Sequence, residues 1–543
     1  MNVKSECFGF ALAAILAIPV EKPLWTAGFM SDTHVSSRRD ATIVKLACRQ
    51  FNRLGADLVV NLGDICDVHW APGYAAIRKA YDEELAKPHE EIFVCAYHDW
   101  VRRTKEPHEV VMKDVLAKLG ARHEPGFVRD FHGYPIVVFP QCSPNYAAME
   151  KTLHEVAAKY PDPKMPIFVF DHEPGAETTA KTLRWGDRNR RKLYAKFPRV
   201  VLMSGHTHGS VWGERFIWQG EYTAVNAGDQ QSEKAAALFM EVYPNRLVFR
   251  RIRVGDGLEP LPPWVVPIPF DAATAPYALE RRKAVTPAPE FSSGAALKLT
   301  PKGEPFECLE LAFPHAGETV ATYRIDILDG EGNFLARQSV SAPYGLFGAD
   351  RPPAMTVELS AGYFEKGKSY RVSVTPLTFF DTAGRAIEAS FMAPARKGTL
   401  VWESTDPMKD CSFMTGLEGG TPVQFENGWY KANGGAYRLE LPQGVWEGEK
   451  GSRFLFIVDC ATEQRGVKPW SMVLRNPNPS HNANDRVYTD VGNFERIRYV
   501  MEIEKTAAKD HYYLLIREGS GGRIKFLNVR VERLACKKDC CID

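Results

Sequence analysis

The sequence predicts an α/β domain followed by two all-β sandwich domains. Within the first 210 residues, four apolar, β-prone runs each lead into a short polar segment rich in Asp and His. Strands of an α/β sheet end in this way where their loops build a site at the carboxyl edge. Beyond residue 290, short runs with an apolar residue at every second position alternate with Gly-rich turns, which is typical of β-sandwiches.

The length of 543 residues exceeds what one hydrophobic core supports, and we expect three folded domains. A stretch rich in proline, residues 255–291, separates the two patterns. The predicted divisions are a signal segment 1–22, an α/β domain 23–255, a Pro-rich strap and linker 256–290, a β-sandwich 291–396, a second β-sandwich 397–535 and a Cys-rich tail 536–543.

The charge balance argues against a protein that binds nucleic acid through its overall field. A formal net charge of +1, with 25% charged residues, would attract neither a nucleic-acid duplex nor a membrane surface. The main local exception is the basic segment 184–196, which we expect to form an amphipathic helix with a solvated charged face.

An apolar stretch over residues 8–20 follows Lys4 near the N-terminus. A membrane span needs about 20 such residues, so this stretch fits a secretory signal better than a transmembrane helix. No second stretch is long and apolar enough to span a membrane. We therefore expect export to the periplasm, the cell surface or the medium; an N-terminal strand or buried helix is the alternative.

Eleven cysteines, of which ten would remain after removal of a signal, are compatible with some disulfides in an oxidising compartment. Free, buried thiols are expected for the cysteines in strand or helix contexts. Cys536, Cys540 and Cys541 lie close together in the tail and lack an evident fourth zinc ligand. A tail disulfide or free thiols are expected there.

Five acid- and histidine-rich segments carry the strongest chemical signal. They supply carboxylate oxygens and imidazole nitrogens but no thiolate, a donor set that suits Zn, Mn or Fe rather than a structural zinc site. One His-x-His alone is more often part of a surface strand, but five ordered segments predict a catalytic site with two metal ions. The segments are Asp32-Thr33-His34, Gly63-Asp64, His98-Asp99, His172 with Glu173-Pro174, and Gly205-His206-Thr207-His208.

These segments resemble the motifs D-x-H, G-D, G-N-H-[DE], H and G-H-x-H of the calcineurin-like metallophosphoesterases. The resemblance covers roughly residues 24–255 and implies a β-sandwich flanked by helices, the αββα arrangement. It also implies hydrolysis of a phosphomonoester or phosphodiester by a hydroxide that bridges two divalent or mixed-valence metal ions.

The resemblance implies a role for each matching residue. His98 would act on the phosphoryl group or protonate the leaving group, and Asp99 would orient His98. Asp32, His34 and His208 would hold the first metal ion, His172 and His206 the second, and Asp64 both.

The third motif departs from the family pattern. Ala96-Tyr97 stands where the family has Gly-Asn, whose Asn carbonyl is a ligand of the second metal. Three alternatives remain open: Tyr97 binds metal as a phenolate, water or another side chain fills the position, or the second metal site is weak and activity is reduced. Phenolate binding would favour ferric iron.

Several polar residues beside the motifs have two interpretations. Asp67, His69 and Trp70 follow Asp64 and are expected to support the site or begin a helix, with His69 as a further ligand or substrate contact in the alternative. Arg102 and Arg103 are expected to be solvated surface charges, although arginine also suits phosphate.

The two β regions carry different resemblances. Residues 291–396 look like a fibronectin type III or immunoglobulin-like module in pattern only, whereas residues 522–531 are similar to the last strand of jelly-roll carbohydrate-binding modules. Possible partners are therefore a phosphoester, possibly glycan-linked, and carbohydrate bound through the C-terminal domain. A sugar platform or core packing would explain its aromatic residues, which include Trp429, Tyr430, Trp446 and Trp470.

An alternative function belongs to a different class. In it, the protein is a secreted glycan- or surface-binding protein whose phosphoesterase-like domain has lost efficient catalysis, as the Tyr97 departure would allow. Metal content and turnover of simple phosphoesters separate the two functions.

Overall fold

The computed structural model of the protein describes residues 21–86, 89–103, 105–141, 144–232, 234–396, 398–415, 427–431, 436–464, 471–476, 486–488, 493–517 and 522–534. The predicted signal segment up to residue 20, Trp470 and the Cys-rich tail lie outside the described residues. Within the described chain, no helix is long and apolar enough to cross a membrane.

Up to residue 290 the chain forms sheets and helices together. In chain order the elements are β1 (Trp25–Met30), α1 (Thr42–Leu54), β2 (Leu58–Asn61), α2 (Ala71–Glu84), β3 (Glu90–Phe93), α3 (Tyr97–Trp100), α4 (His108–Lys118), β4 (Phe127–Phe131), β5 (Tyr134–Phe139), α5 (Tyr146–Lys159), β6 (Ile167–Asp171), α6 (Thr182–Trp185), α7 (Arg188–Tyr194), β7 (Val200–Ser204), β8 (Ile217–Gln219), β9 (Thr223–Asn226), β10 (Ala236–Tyr243), β11 (Arg246–Arg253), β12 (Trp264–Pro267) and α8 (Leu279–Val285).

The later part of the chain is almost entirely β. Its elements are β13 (Lys298–Lys302), β14 (Cys308–Pro314), β15 (Val320–Asp329), β16 (Phe334–Ser341), β17 (Ala354–Ser360), β18 (Ser369–Thr378), β19 (Ile387–Met392), β20 (Gly398–Ser404), α9 (Pro407–Asp410), β21 (Ser412–Thr415), β22 (Tyr430–Lys431), β23 (Ala436–Glu440), β24 (Arg453–Gln464), β25 (Ser471–Arg475), β26 (Arg486–Tyr488), β27 (Phe494–Glu504), β28 (Tyr513–Arg517) and β29 (Gly522–Leu534). The predicted change from a mixed α/β region to all-β sheets is confirmed.

The chain divides into two compact units. The first contains the residues up to 172 together with 197–205 and 229–275, and the second contains 173–196, 206–228 and the residues from 276 onward. The domain boundaries that we predict from the sequence stay predictions.

Two sheets form the first unit. One has the strand order β12-β11-β10-β1-β2-β3, in which β1, β2 and β3 are parallel, and the other contains β4-β5-β6-β7. Aromatic rings pack between the sheets: Trp25 lies 5.1 Å from Phe168 and Phe29 lies 5.4 Å from Phe170, measured between ring centroids. Residues of β1, β2, β6 and β7 are buried along their whole length, as expected for strands covered on both faces.

Helices α1, α2 and α4 share a hydrophobic core with the first of these sheets. Helix α1 is amphipathic and ends at Gly55, whose φ of 71° closes the helix in the left-handed conformation. Its Phe51 packs directly over Gly28 of β1, where a Cβ atom would lie 2.4 Å from the ring. This close packing holds the helix against the strand that leads into the first polar segment.

The second unit contains the later sheets, with the orders β13-β14-β17, β16-β15-β18-β19, β20-β29-β24-β27 and β21-β23-β28-β25-β26. The last two enclose one core, and Trp446 belongs to it: the indole is 6% exposed and packs on Phe454 and Tyr512. Trp446 is therefore core packing rather than part of a sugar platform. Among the described residues, the thiols of Cys48, Cys66, Cys308, Cys411 and Cys460 are free.

Candidate metal centre

The candidate site lies where strands of the first unit end. Asp32 and His34 follow β1, Asp64 follows β2, and His172 follows β6. Backbone hydrogen bonds join the first two loops, because the N–H of Asp32 donates to Gly63 (2.9 Å) and the N–H of His34 donates to Asp64 (3.1 Å). Strand ends far apart in the sequence are thus brought to one edge of the unit.

Two glycines allow these loops to approach one another. Gly63 has a φ of 108°, and a Cβ there would lie 2.7 Å from the Cβ of Ala96 and 2.8 Å from Nδ1 of His172. A Cβ at Gly205 would lie 2.5 Å from Oδ2 of Asp32 and closer still to the Ser31 hydroxyl. Any larger residue at either position would push the polar side chains apart.

Two carboxylates and two imidazoles form a buried cluster. Nε2 of His172 lies 3.2 Å from Oδ2 of Asp64 and 3.9 Å from Oδ1 of Asp32. Nε2 of His34 lies 3.9 Å from a carboxylate oxygen of each aspartate. All four residues are at most 4% exposed. Buried carboxylates need compensating positive charge, so the cluster is compatible with a metal site.

His172 is held in a defined orientation. Its Nδ1 lies 2.8 Å from the carbonyl oxygen of Leu62, which can only accept, so Nδ1 carries the proton and Nε2 is directed to the carboxylates. Burial opposes the charged form, but Asp64 and Asp32 outweigh it and raise the pKa of His172 to about 10. Burial likewise opposes ionisation of Asp64, yet His172 holds the pKa of that carboxyl well below its usual range. A cation can replace the His172 proton as the compensating charge.

His98 is attached to this cluster through its backbone. Its N–H donates to Oδ1 of Asp64 (3.1 Å), and Nδ1 of its ring lies 2.5 Å from the carbonyl oxygen of Asp67. Because that carbonyl accepts the Nδ1 proton, Nε2 is the ring nitrogen left to accept or release a second proton. The side chain is 34% exposed, so solvent and small molecules reach it.

Asp99 supports His98 through the main chain. Its buried carboxylate accepts from the N–H groups of Ala96 (3.0 Å), Ile65 (3.1 Å) and Cys66 (3.2 Å), which joins the second and third polar loops. Burial and the nearby charge of Asp64 raise the pKa of Asp99 to about 7. Asp99 therefore fixes the backbone that carries His98.

Asp67, which the sequence predicts to support the site or begin a helix, contacts two histidines. Its Oδ1 lies 3.6 Å from Nδ1 of His34 and 3.6 Å from Nδ1 of His98, so one carboxylate oxygen lies close to both imidazole rings. His69, in contrast, places Nδ1 3.1 Å from the carbonyl oxygen of Asp99 and supports the loop. Arg103 is engaged in ion pairs with Glu106 and Asp114 rather than solvated alone. The short spacing from Asp64 to Asp67 is the only sequence signal for the latter.

Tyr97 stands beside the cluster with its side chain partly in solvent. The residue is 45% exposed, its N–H donates to the Gln141 side chain (3.1 Å), and its ring centroid lies 5.6 Å from that of His98. The role of Tyr97 at the second metal stays a prediction.

His206 and His208 belong to the second unit. They follow β7 and Gly205, whose N–H donates to the carbonyl oxygen of His172 (2.9 Å). Both have left-handed backbone conformations, with φ of 71° and 45°. Within the second unit, Nζ of Lys181 donates to the carbonyl oxygen of His208 (2.7 Å).

No family model matches the chain, and no curated protein matches it significantly. Solved structures give weak similarities. A conserved uncharacterized protein of Streptococcus pneumoniae TIGR4, described as a predicted phosphoesterase, aligns at a TM-score of 0.25 and 12% identity over 45% of this chain and 97% of its own. The purple acid phosphatase PPD1 of yellow lupin aligns at a TM-score of 0.33 and 12% identity over 45% of this chain and 53% of its own.

The β region has weak similarities of another kind. The tandem CBM22-1–CBM22-2 domain of Xyn10C from Paenibacillus barcinonensis aligns at a TM-score of 0.19 and 11% identity, over 45% of this chain and 92% of its own. At such scores none of these similarities carries a functional argument. What the chain itself presents is a buried cluster of Asp and His side chains, compatible with metal binding, at the carboxyl ends of its N-terminal strands.

Proposed function

We propose that the protein is a metal-dependent phosphoesterase that hydrolyses a phosphomonoester or phosphodiester. The observation that supports this most directly is the buried cluster of Asp32, Asp64, His34 and His172, with the backbone N–H of His98 bonded to Asp64. Carboxylates and imidazoles at strand ends form a donor set suited to Zn, Mn or Fe.

The proposed ligands form two sets that share one carboxylate. The sequence motifs suggest that Asp32, His34, Asp64 and His208 would hold one metal ion, and that Asp64, His172 and His206 would hold the second. Two such ions supply Lewis acidity toward the phosphoryl group and toward water. The second carboxylate oxygen of Asp64 also accepts the His98 N–H, so the same residue keeps His98 at the site.

His98 and its neighbours would handle the proton. The Asp67 carbonyl keeps the proton on Nδ1, so a protonated His98 can give its second proton from Nε2 to the leaving oxygen. Asp99 keeps the backbone of this segment in place through its three N–H bonds. Asp67 can stabilise the charged ring, because its carboxylate lies 3.6 Å from Nδ1.

Two further proposals concern the setting of the reaction. Export is supported by the apolar stretch 8–20, and N-terminal sequencing of the protein recovered from its producing cells tests it. Carbohydrate binding through residues 397–535 stays a proposal in which Trp429 can still take part, whereas Trp446 cannot.

The bridging role of Asp64 tests the proposed function. Purified full-length protein is loaded with Mn, Zn or Fe, its metal content is measured, and turnover of p-nitrophenyl phosphate and of bis-p-nitrophenyl phosphate is followed. Asp64→Asn should abolish turnover of either ester and lower the metal content, because it removes a charged ligand common to both ions.

Asp57→Asn is the matched control, because Asp57 stands at the opposite end of the same strand and its carboxylate bonds only to Thr26 among the contacts described. It should keep both metal and turnover. Full activity in Asp64→Asn would contradict the two-metal assignment. A metal-loaded wild-type protein that turns over neither ester would favour the alternative, a binding protein with a weakened phosphoesterase-like domain.

A further inference from the structure

A short turn of the first unit carries two neighbouring arginines directly after the segment 32–34. Its ends pair with each other, because the N–H of Ser36 donates to the carbonyl oxygen of Arg39 (2.8 Å) and the N–H of Arg39 donates to that of Ser36 (3.1 Å). Ser37 and Arg38 form the two-residue tip. Residues 36–39, the arginine turn, are therefore closed by backbone hydrogen bonds.

The arginine turn is attached to the loops of the candidate metal centre. Val35, which precedes it, is 1% exposed and belongs to the core of the first unit. The N–H of Val35 donates to the carbonyl oxygen of Ile65 (3.0 Å), and its own carbonyl accepts the N–H of Asp67 (3.1 Å). Ile65 directly follows the proposed bridging residue Asp64. The turn therefore has a fixed place beside the loops that carry His34 and Asp64.

The bonds of the turn limit how far its second arginine can lie from the site. His34 and Ser36 are two residues apart, so at most about 7 Å separates their Cα atoms. The Cα atoms of a hydrogen-bonded antiparallel pair, such as Ser36 and Arg39, are about 5.5 Å apart. The Cα atom of Arg39 thus lies within roughly 13 Å of that of His34. A small molecule with two charged ends can span such a distance.

The charge of the two arginines is not neutralised by the described residues around them. Asp40, the next residue in the chain, accepts the N–H of Thr42 (3.0 Å), and this bond holds the pKa of its carboxyl below the usual range. Where the structure describes arginine side chains of the first unit, those of Arg38, Arg39 and Arg122 make neither an ion pair nor a hydrogen bond. The arginine turn therefore offers two guanidinium groups to an external anion.

We infer that the arginine turn binds a second oxyanion of the substrate, so that the substrate class is a phosphoester that carries a further phosphate or carboxylate group. The inference rests on the proposed function, in which the reacting phosphoryl group lies at the Asp and His cluster. The paired N–H donors of a guanidinium match the oxygens of phosphate and of carboxylate. Because the arginines are near the surface, salt should weaken this contact.

Compounds with one or two charged ends test the inference on the metal-loaded full-length protein, with free metal removed. Calorimetry measures the binding of alkylphosphonates, of alkane bisphosphonates with spacers of two to eight carbons, and of the matching phosphonocarboxylates, none of which can be hydrolysed. For the corresponding alkyl phosphates and bisphosphates, kcat and KM are measured. The variants are Arg38→Gln, Arg39→Gln, the double variant and Arg39→Lys.

Arg122→Gln is the matched control. Arg122 is also exposed and has no ion pair with a described residue, but it lies with Glu90 beside the start of β3, whereas the candidate site follows the end of that strand. It removes the same charge from the same unit at a different place. Any effect of general charge attraction should therefore appear in Arg122→Gln as well.

We expect the wild type to bind the compounds with two charged ends more tightly than those with one, with the tightest binding at one spacer length. Arg38→Gln and Arg39→Gln should each reduce this preference roughly 3- to 10-fold, at unchanged metal content. Arg39→Lys keeps the charge but not the paired donors and should keep part of the preference. Arg122→Gln should leave it as in the wild type. The better-bound second group identifies the oxyanion as phosphate or carboxylate.

Other outcomes contradict the inference without contradicting the proposed function. Equal binding of the two kinds of compound by the wild type would overturn it, and so would a preference that survives in the double variant. An equal loss of preference in Arg122→Gln would assign the effect to general charge attraction. If no ester is hydrolysed, the proposed function fails, and the phosphonate series still decides whether the arginine turn binds a second oxyanion.

Discussion

His98 differs from the buried histidines of the site in its surroundings. His34 and His172 are buried among carboxylates, whereas the side chain of His98 is a third exposed and takes its orientation from a carbonyl group. A ring that exchanges protons with a substrate, as we propose for His98, would need this access. The structure thus gives histidines that look alike in the sequence different exposures.

Replacing His98 by alanine should therefore affect turnover and leave metal binding intact. We expect kcat to fall about 10²- to 10⁴-fold, the usual effect of removing a general acid, at unchanged metal content. Steady-state kinetics with p-nitrophenyl phosphate and elemental analysis of the same sample measure both quantities. His154→Ala is the control, because His154 is 65% exposed on helix α5.

Loss of metal from His98→Ala would show that the ring is a ligand. The group His34, Asp67 and His98 does bring donor atoms within 4.8 Å of one another, so this outcome is chemically reasonable. It would move Asp67 from a supporting residue to a ligand as well.

Among the elements, strands β1, β6 and β7 end in polar loops that pack closely against one another. Gly205 follows β7, and its N–H bond to His172 holds it beside the loop after β6. The space for a side chain at Gly205 is already taken by Ser31 and Asp32. One missing Cβ thus determines how closely two polar segments approach.

Gly205→Ala should destabilise the protein and weaken metal binding together. Forcing a methyl group against backbone-anchored neighbours costs about 1–3 kcal/mol, and here the displaced neighbour is the proposed ligand Asp32. Urea unfolding and metal titration test the two effects. Gly330→Ala is the control, since a Cβ there would come no closer than 3.3 Å to another heavy atom. A urea unfolding midpoint in Gly205→Ala equal to that of the wild type would contradict the packing argument.

The basic segment near the site is interrupted between two helices. The basic segment 184–196, predicted as one amphipathic helix, contains the end of α6 and the separate helix α7. Asp187 begins α7 by accepting the N–H of Arg190 (2.6 Å), a side-chain cap. Arg190 is fully buried and paired with Glu173 at 2.7 Å, so the charged face is not entirely solvated as predicted.

For the molecule as a whole, the β-rich region of the second unit is held by apolar packing and by a buried ion pair. Leu455, Ile457 and Val500 of β24 and β27 share a core with the residues of β13 to β19. Close to them, Arg498 donates two bonds to Asp459, at 2.7 and 3.0 Å, and lies 3.7 Å from Glu365. Both members of the pair are almost completely buried.

The Asp459–Arg498 pair should make stability depend on pH. Burial opposes the charged carboxylate, but the bonds from Arg498 outweigh it and hold the pKa of Asp459 below its usual range. Because the folded pKa is below the unfolded value of about 3.9, the pair stabilises fully above that pH and progressively less as pH falls through the folded pKa. Urea midpoints of the wild type should therefore fall in acid.

Asp459→Asn should lower the free energy of unfolding by about 3–5 kcal/mol at neutral pH, because it leaves Arg498 buried without its counter-charge. The difference from the wild type should shrink as the pH is lowered below about 4. Asp326→Asn is the control: Asp326 pairs with Arg337 at 2.5 Å in a more exposed place, and its loss should cost less. A difference that stays constant with pH would contradict the assignment.

The sequence by itself determined the order of structures and the chemistry available to them. Apolar runs that end in Asp or His predicted strands β1, β2, β6 and β7 with polar loops. Runs with an apolar residue at every second position predicted the later sheets. Both patterns depend only on residues that are close together in the chain. The approach of Asp32 and Asp64 also followed from the pattern, since the ends of neighbouring parallel strands meet at one edge. His172 follows β6 of the other sheet, and only the packing of the two sheets brings it to these carboxylates. Their roles as ligands stay predictions.

Only the tertiary structure decided which side chain fills which space. Trp446 and Trp185 both have polar neighbours in the sequence. Trp446 nevertheless lies in a core, whereas Trp185 is exposed beside His206. Asp67 and Asp99 both neighbour a motif, yet one contacts two imidazoles and the other bonds to three backbone N–H groups. The physical reason is that burial and hydrogen bonding depend on residues distant in the chain, such as Ser31 and Gln230, whose contact no local pattern encodes.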